Sequence, residues 1–492
     1  MNERTKELLN STMKEARNYY DFVVGLGGIV YYQDATDEVA RIAARHAWEL
    51  REVGSINKIA SKYGENPAVK PWTFPLRGRM DRLSIERQVW RAIDDALAMK
   101  PDDWIRMELL LLRTYVLAHI PEGSNSLDMA KRLREQHVEL ECYDAYIAHL
   151  DARIRFTDEG DIGNAIRICV EALDSAEKFN DVYQEYWLRR WLGLITMNVD
   201  VREAQVHAEQ AYGLCQFLGA PFHTQATLID LGMASAILGE YDLALEFHYE
   251  GIRVFETQEG PTDRHAVMLS RIYSDLGDSD QALEWARWAL DQHTNRGSKG
   301  DSWVNMAMAR ALIIKNDLER ASEYLDMARE LALRSGQEGE MSHYYYVSGL
   351  LELASDDPLT AIQSISDALE IGKRLNYQMF VGRCLLSLAR AEIAAYPVMK
   401  EGIYADASGP WMSQLGQHAT EKNLPGVLIQ HALLKADFRI KQGQLHDARA
   451  TLVEALDWYN SPGLKSLQHM IISKIKEIDA LENERAHSNN LT

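Results

Sequence analysis

The sequence predicts an all-α chain, an array of helical hairpins behind an N-terminal helical cap, and three observations carry that expectation. The first is compositional: 492 residues include only 12 Pro and 30 Gly, while Leu, Ala, Glu and Met recur throughout, as in helical proteins and not in sandwiches or barrels. The second is a row of alanines, Ala165, Ala204, Ala244, Ala282, Ala321 and Ala361, at intervals of 39, 40, 38, 39 and 40, with Ala448 following after 87. The third is the small residue seven places after each: Ala172, Ala211, Gly251, Ala289, Ala328, Ala368 and Ala455. Two helices approach closely only where one presents a small side chain to the other. Small pairs two turns apart at a fixed period therefore mark one packed helix after another.

From the N-terminus, residues 1–66 read as two or more helices around a break at Gly25-Leu26-Gly27-Gly28. Pro67 to Pro75, carrying Trp72 and Phe74, reads as a connector. Asp81 to Met99 and Trp104 to Ile120 read as further helices, so that 1–100 is expected to form the cap and 101–481 the array. Ala130 stands 35 residues before Ala165 and anchors a degenerate first repeat. Turn sequences then precede the alanines: Glu159-Gly160-Asp161-Ile162 before Ala165, Asn198-Val199-Asp200-Val201 before Ala204, and Gln442-Gly443-Gln444-Leu445 before Ala448. Gly suits the left-handed end of one helix, Asp or Ser opens the next, and Pro358 follows Asp357 at a first-turn position. The interval of 87 holds two repeats with an insertion near 396–410, after which Trp411 to Lys422 supplies a second helix. Residues 482–492 read as a flexible polar tail.

Within this array, Leu231-Gly232 followed by Leu238-Gly239-Glu240-Tyr241-Asp242-Leu243-Ala244-Leu245-Glu246 resembles the tetratricopeptide repeat. Leu276-Gly277-Asp278-Ser279-Asp280-Gln281-Ala282-Leu283-Glu284 repeats that pattern, as do Lys315 to Ala321 and Asp356 to Ala361. The resemblance covers Asp128 to Tyr459 and implies a right-handed α-α superhelix, a TPR-like solenoid. It departs from the family in period, near 39 residues where the commonest unit has about 34. Long units of this kind are similar to those of maltose-regulator-type sensors and kinesin-light-chain-type repeats. The nucleotide-binding and DNA-binding domains of the former type have no counterpart motif here.

Composition and motifs narrow the function. Lys+Arg 53 against Asp+Glu 73 leaves a net charge of −20, which opposes wrapping nucleic acid. The charged N-terminus, Met1 to Glu7, leads into no apolar signal-peptide run, and no stretch approaches the length of a membrane span; a cytoplasmic location without membrane attachment is expected. Cys142, Cys169, Cys215 and Cys384 have neither disulfide-framework nor zinc-knuckle spacing. Gly25 to Val30 lacks the third glycine of a dinucleotide fingerprint, and no phosphate-loop, zinc-protease or nucleophile-elbow motif occurs. His137 and Glu141, four apart on an expected helix beside Cys142, offer two metal ligands, and two do not make a site. No cofactor and no catalysis are expected.

What remains is surface. In the fold that the resemblance implies, the first helix of each pair lines the inner groove, with exposed positions about 18, 15 and 11 residues before each anchoring Ala. These positions are Arg264, Val267 and Arg271, then Trp303, Met306 and Arg310, then His343, Tyr346 and Leu350; Arg383, Leu386 and Arg390 extend the row if the irregular repeat keeps register. Arginine forks pair with carboxylates, and Trp, Tyr and Arg dominate binding hot spots. Arg264, Arg271, Trp303, Met306, Arg310, His343, Tyr346 and Arg390 thus form a candidate groove for a peptide or protein partner carrying acidic residues. The other reading of the same residues is that the arginines pair with acids of neighbouring repeats and the aromatics simply pack. Between Lys70 and Arg91, Arg77, Arg79, Arg82 and Arg87 make a candidate basic patch for an acidic partner, the other reading being a solvated helix face. Trp285 and Trp288 stand either as an outer patch or as packing between repeats. Two functions follow: an adaptor that holds a peptide segment or subunit, or a regulatory sensor that binds a small ligand. Oligomeric state has no signature in the sequence.

Overall fold

The turns set the repeat. Gly160, Gly239, Gly277, Asn316, Asp356 and Gly443 all have a left-handed backbone, φ 61–82°, and each stands five residues before an anchoring alanine. In the later turns the next N–H returns to a carbonyl five residues back: Asp278 to Tyr273 at 2.9 Å, Asp317 to Leu312 at 2.9 Å and Gln444 to Arg439 at 2.9 Å. Each such turn satisfies carbonyls at a helix end and reverses the chain within a few residues.

The computed structural model describes residues 16, 18–32, 35–74, 82–118, 120–256, 263–294, 301–375, 377–399, 410–459 and 461–489. Among the described residues the fold is all-α. The chain divides into two compact units, one of residues 1–196, 206–227 and 257–260, the other of 197–205, 228–256 and 261–492. The first contains α1 (Tyr19–Tyr32), α2 (Asp37–Glu49), α3 (Val53–Tyr63), α4 (Arg82–Ala98), α5 (Asp103–Leu117), α6 (Pro121–Gln136), α7 (Asp144–Ile154), α8 (Ile162–Lys178) and α9 (Val182–Thr196). Helices α10 (Val201–Leu218) and α11 (Pro221–Leu238) each contribute residues to both units. The second contains α12 (Tyr241–Glu256), α13 (Asp263–Leu276), α14 (Ser279–Thr294), α15 (Ser302–Ile314), α16 (Leu318–Ser335), α17 (Glu338–Ala354) and α18 (Pro358–Arg374). It continues with α19 (Gln378–Met399), α20 (Pro410–Glu421), α21 (Pro425–Lys441), α22 (Leu445–Trp458) and α23 (Lys465–Asn489).

In the first unit the expected break at Gly25 to Gly28 does not occur, because α1 runs unbroken through it. Gly27 serves close approach instead: a Cβ there would lie 2.4 Å from Ser55 Oγ on α3. Trp72, on a 3-10 turn over Lys70–Thr73, is fully buried and meets the edge of Trp48 at 5.7 Å between ring centres. The boundaries of α4 and the start of α5 lie within a residue of the sequence expectation, whereas α5 ends at Leu117 and Ile120 opens α6 instead; Asp102 caps α5 by accepting from the Ile105 N–H.

The repeat alanines behave as their spacing requires. Ala165, Ala204, Ala244, Ala282, Ala321, Ala361 and Ala448 have no exposed surface, and their partners seven places on are buried as well. In the irregular repeat, Met412 and Ala419 on α20 take these two places, both buried. Methionine at the first of them hid that repeat from the alanine pattern. The insertion is adjoined by α19, which extends to Met399, and 400–409 lie outside the described residues.

Within the second unit the last helices pack against the first. Gln430 Nε2 donates to Tyr241 Oη at 2.9 Å, and Ser466 Oγ donates to Asp242 Oδ1 at 2.8 Å. Tyr241 and Ala244 share a core with Ile429, Leu464, Leu467 and Ile471. The closing helix α23 continues through 482 to Asn489.

Candidate functional site

Four helices of the second unit bring the inner-row residues together. On α13, Arg271 and Asp275 are four apart and so share one face. The two oxygens of Asp275 are divided between neighbours: Oδ1 accepts from Arg310 on α15, and Oδ2 accepts from Arg383 Nη2 on α19 at 3.3 Å. Arg383 also lies over the Tyr346 ring, 5.7 Å from its centre, and Ser387 Oγ donates to Tyr346 Oη at 3.3 Å. Beside this cluster the rings form a chain. Trp303 meets His343 at 4.5 Å, His343 meets Phe380 at 4.1 Å, and Phe380 meets Tyr346 at 5.6 Å.

The electrostatics are unbalanced. Burial pushes the Asp275 carboxyl up, but the guanidiniums of Arg310, Arg383 and Arg271 outweigh it and hold the group below the usual carboxylate range. Arg271 makes no hydrogen bond or ion pair among the described residues, both Asp275 oxygens being taken. Burial, and then the like charges of Arg383 and Arg310, push it down to about 9 despite Asp275. His343 is driven well below the ordinary imidazole range by burial and by the same three arginines, so it is neutral at pH 7. Three guanidiniums thus face one carboxylate, an excess of two positive charges in a chain whose net charge is −20.

The structure brings Arg271, Arg310, Trp303, His343 and Tyr346 into one neighbourhood. Three of the positions expected to be exposed in the groove are buried instead: Met306, Arg310 and Tyr346 are 4%, 8% and 6% exposed, and Met306 and Tyr346 belong to the surrounding apolar core. Arg264 on α13 and Arg390 on α19 are exposed on the same helices. Asp275 and Phe380 were missed by sequence reasoning. The signal for Asp275 was available in its place one turn after Arg271; Phe380 depends on how α19 docks. In the basic patch, Arg77 and Arg79 lie outside the described residues, as does the side chain of Arg82, and Arg87 is exposed on α4.

The other sequence candidates find structural partners. The region of His137 and Glu141 is a short 3-10 turn, Val138–Tyr143, in place of the expected helix. His137 contacts Asp103 at 3.2 Å, whereas Glu141 pairs with Lys178 at 2.5 Å. All four cysteines are free thiols. Trp285 and Trp288 are half-buried against Ala266, Ala289 and Val304. One group of potential metal ligands occurs among the described residues: Asp263, His293 and Asp301, with donor atoms within 4.8 Å of one another. His293 Nε2 is 2.7 Å from Asp263 Oδ2, and Asp301 caps α15 by accepting from the Val304 N–H.

Left-handed turns five residues before buried small anchors, repeated near every 39 residues, decide the architecture. The chain is a tetratricopeptide-like helical repeat protein. No family model matches it, and no curated protein does. Among solved structures it is similar to the Rap protein complexed with competence and sporulation factor, at 15% identity and TM-score 0.39, covering 77% of this chain and 99% of that one. It is also similar to a ligand-bound AimR, phAimR, at 14% identity and TM-score 0.44, covering 79% and 97%. A third is the APC/C hetero-tetramer Cut9–Hcn1, at 12% identity and TM-score 0.41, covering 95% and 92%. Among the described residues no helix of this tetratricopeptide-like chain is long and apolar enough to cross a membrane.

Proposed function

We propose that the protein is a non-catalytic scaffold or adaptor that holds an acidic segment of a peptide or protein partner on the inner arginines of its second unit. The observation that carries this reading is the pair of guanidiniums sharing the Asp275 carboxylate, with a third, Arg271, left over beside them. A half-buried cation without a partner is costly, and an incoming carboxylate removes the cost while forming bidentate, charge-assisted bonds. Trp303, half-buried next to the cluster, supplies apolar contact of the kind that anchors peptide side chains. The acidic remainder of the chain disfavours nucleic acid, and four free cysteines accord with a reducing, cytoplasmic setting.

A second reading, a regulatory sensor for a small anionic ligand, is favoured by one feature. The Arg383–Asp275 pair joins α13 to α19, so a compact ligand can act on both helices at once. Affinity purification from native extract with wild type and with Arg271→Glu/Arg310→Glu, matched for folding by circular dichroism, separates the readings. A partner held by wild type and released by the double variant establishes the adaptor. Equal capture by both moves the interface elsewhere, and anion-dependent thermal stabilisation without a protein partner favours the sensor.

A further inference from the structure

We infer that the inner arginine cluster selects a group carrying two negative charges: neighbouring carboxylates or a phosphoryl group, presented by the bound segment. The inference rests on the acidic-partner reading above and adds the charge and chemistry of what is recognised. The titratable groups that face one another here are Arg271 and Asp275 on α13, Arg310 on α15, His343 and Tyr346 on α17, Arg383 on α19 and Tyr241 on α12. His343 and Tyr241 are neutral near pH 7, which leaves three fixed cations and one fixed anion.

The geometry says where the surplus lies. Arg310 and Arg383 sit on opposite oxygens of a single carboxylate, so their guanidiniums are held close together, and Arg271 projects from the same face of α13 as that carboxylate. One monovalent anion would satisfy Arg271 and leave a net positive charge behind. A dianion neutralises the cluster and reaches Arg271 together with the outer N–H groups of Arg310 or Arg383. Arginine suits this task, since its fork presents several donors in one plane to carboxylate or phosphate oxygens. The side chains of Arg310 and Arg383 are 10% and 22% exposed, so bulk water screens the surplus only in part.

The test is a charge series on the full chain at constant ionic strength. Wild type, Arg271→Gln and Asp275→Asn carry excesses of two, one and three charges, and each is titrated by calorimetry with succinate, inorganic phosphate, acetate and chloride. Wild type is expected to bind succinate or phosphate at least about tenfold more tightly than acetate or chloride. Arg271→Gln should lose that preference, and Asp275→Asn should tighten dianion binding by a similar factor. Succinate ahead of phosphate identifies paired carboxylates as the recognised group, and phosphate ahead of succinate identifies a phosphoryl group. If acetate binds wild type as tightly as the dianions, the two-charge inference fails while the acidic-partner reading stands. If no anion binds wild type, the inference fails, and equal partner capture by the double variant would sink the acidic-partner reading separately. Should Asp275→Asn not fold, Arg271→Gln still decides, because keeping the dianion preference without Arg271 would overturn the assignment.

Discussion

At the scale of single residues, the inner cluster sets stability against function. Arg271 carries a half-buried charge without a carboxylate of its own, so Arg271→Met should raise stability by about 1 kcal/mol in urea unfolding while weakening any acidic ligand. Arg310→Met removes one of the two partners of Asp275 from a site where the arginine side chain is only 10% exposed; the expected loss is about 2 kcal/mol. Opposite signs from two arginine-to-methionine changes 39 positions apart would separate a binding residue from a supporting one. The inner-row arginines were legible because they recur at the repeat interval. The place of Asp275 one turn after Arg271 was in view, but its pairing with Arg383 was not, because that contact between α13 and α19 joins residues 108 positions apart and leaves no local trace.

At the scale of elements, glycines mark where helices touch. A Cβ at Gly251 on α12 would lie 2.0 Å from His265 Cε1, and one at Gly232 on α11 would lie 2.5 Å from His248 Nε2. These two imidazoles are fully buried, with their Nδ1 atoms 3.2 Å apart, so neither ring has room to retreat. Gly251→Ala should therefore cost about 1–3 kcal/mol, although alanine is the better helix former. Gly213, exposed on α10 with nothing within 4 Å of a Cβ, makes the control, and Gly213→Ala should gain about 0.4–1 kcal/mol in the same denaturation assay. The same logic explains the misjudged glycines of α1. Sequence shows that a glycine is present, while the reason for it, backbone freedom in a turn or close approach in a helix, depends on what stands opposite. Gly239 combines both, with φ +82° and a Cβ that would lie 2.5 Å from Gly426 Cα.

At the scale of the whole chain, the properties to test are acid sensitivity in both units and, within the second, the packing of its last helices on its first. Burial lowers His149 and His223 to about 3 in the first unit and drives His248 and His343 well below the usual range in the second. The unfolded chain takes up these protons near pH 6.5, and the folded chain refuses them until far lower pH. Stability should accordingly be fullest above about pH 6.5 and fall as pH drops toward 3, and thermal unfolding between pH 7 and pH 4 reads this directly. In the second unit, Leu467 and Ile471 of α23 complete the core that holds Tyr241 and Ala244 of α12. A chain ending at 461 should expose amides of α12 as well as those of α22 to hydrogen exchange. An open array would confine the effect to the C-terminal hairpin.

Sequence alone determined the helical class, the repeat and its period and the anchoring small residues, because each is written in local spacing. Small side chains at two-turn intervals are needed wherever helices meet, and a left-handed residue is needed wherever a tight hairpin turns. Only the tertiary structure decided that Asp275 occupies the centre of the arginine row, that Met412 replaces an anchoring alanine, and that α12 packs against α21 and α23. Those features depend on which distant segments meet, and a contact between residues more than a hundred positions apart imposes no period on the chain.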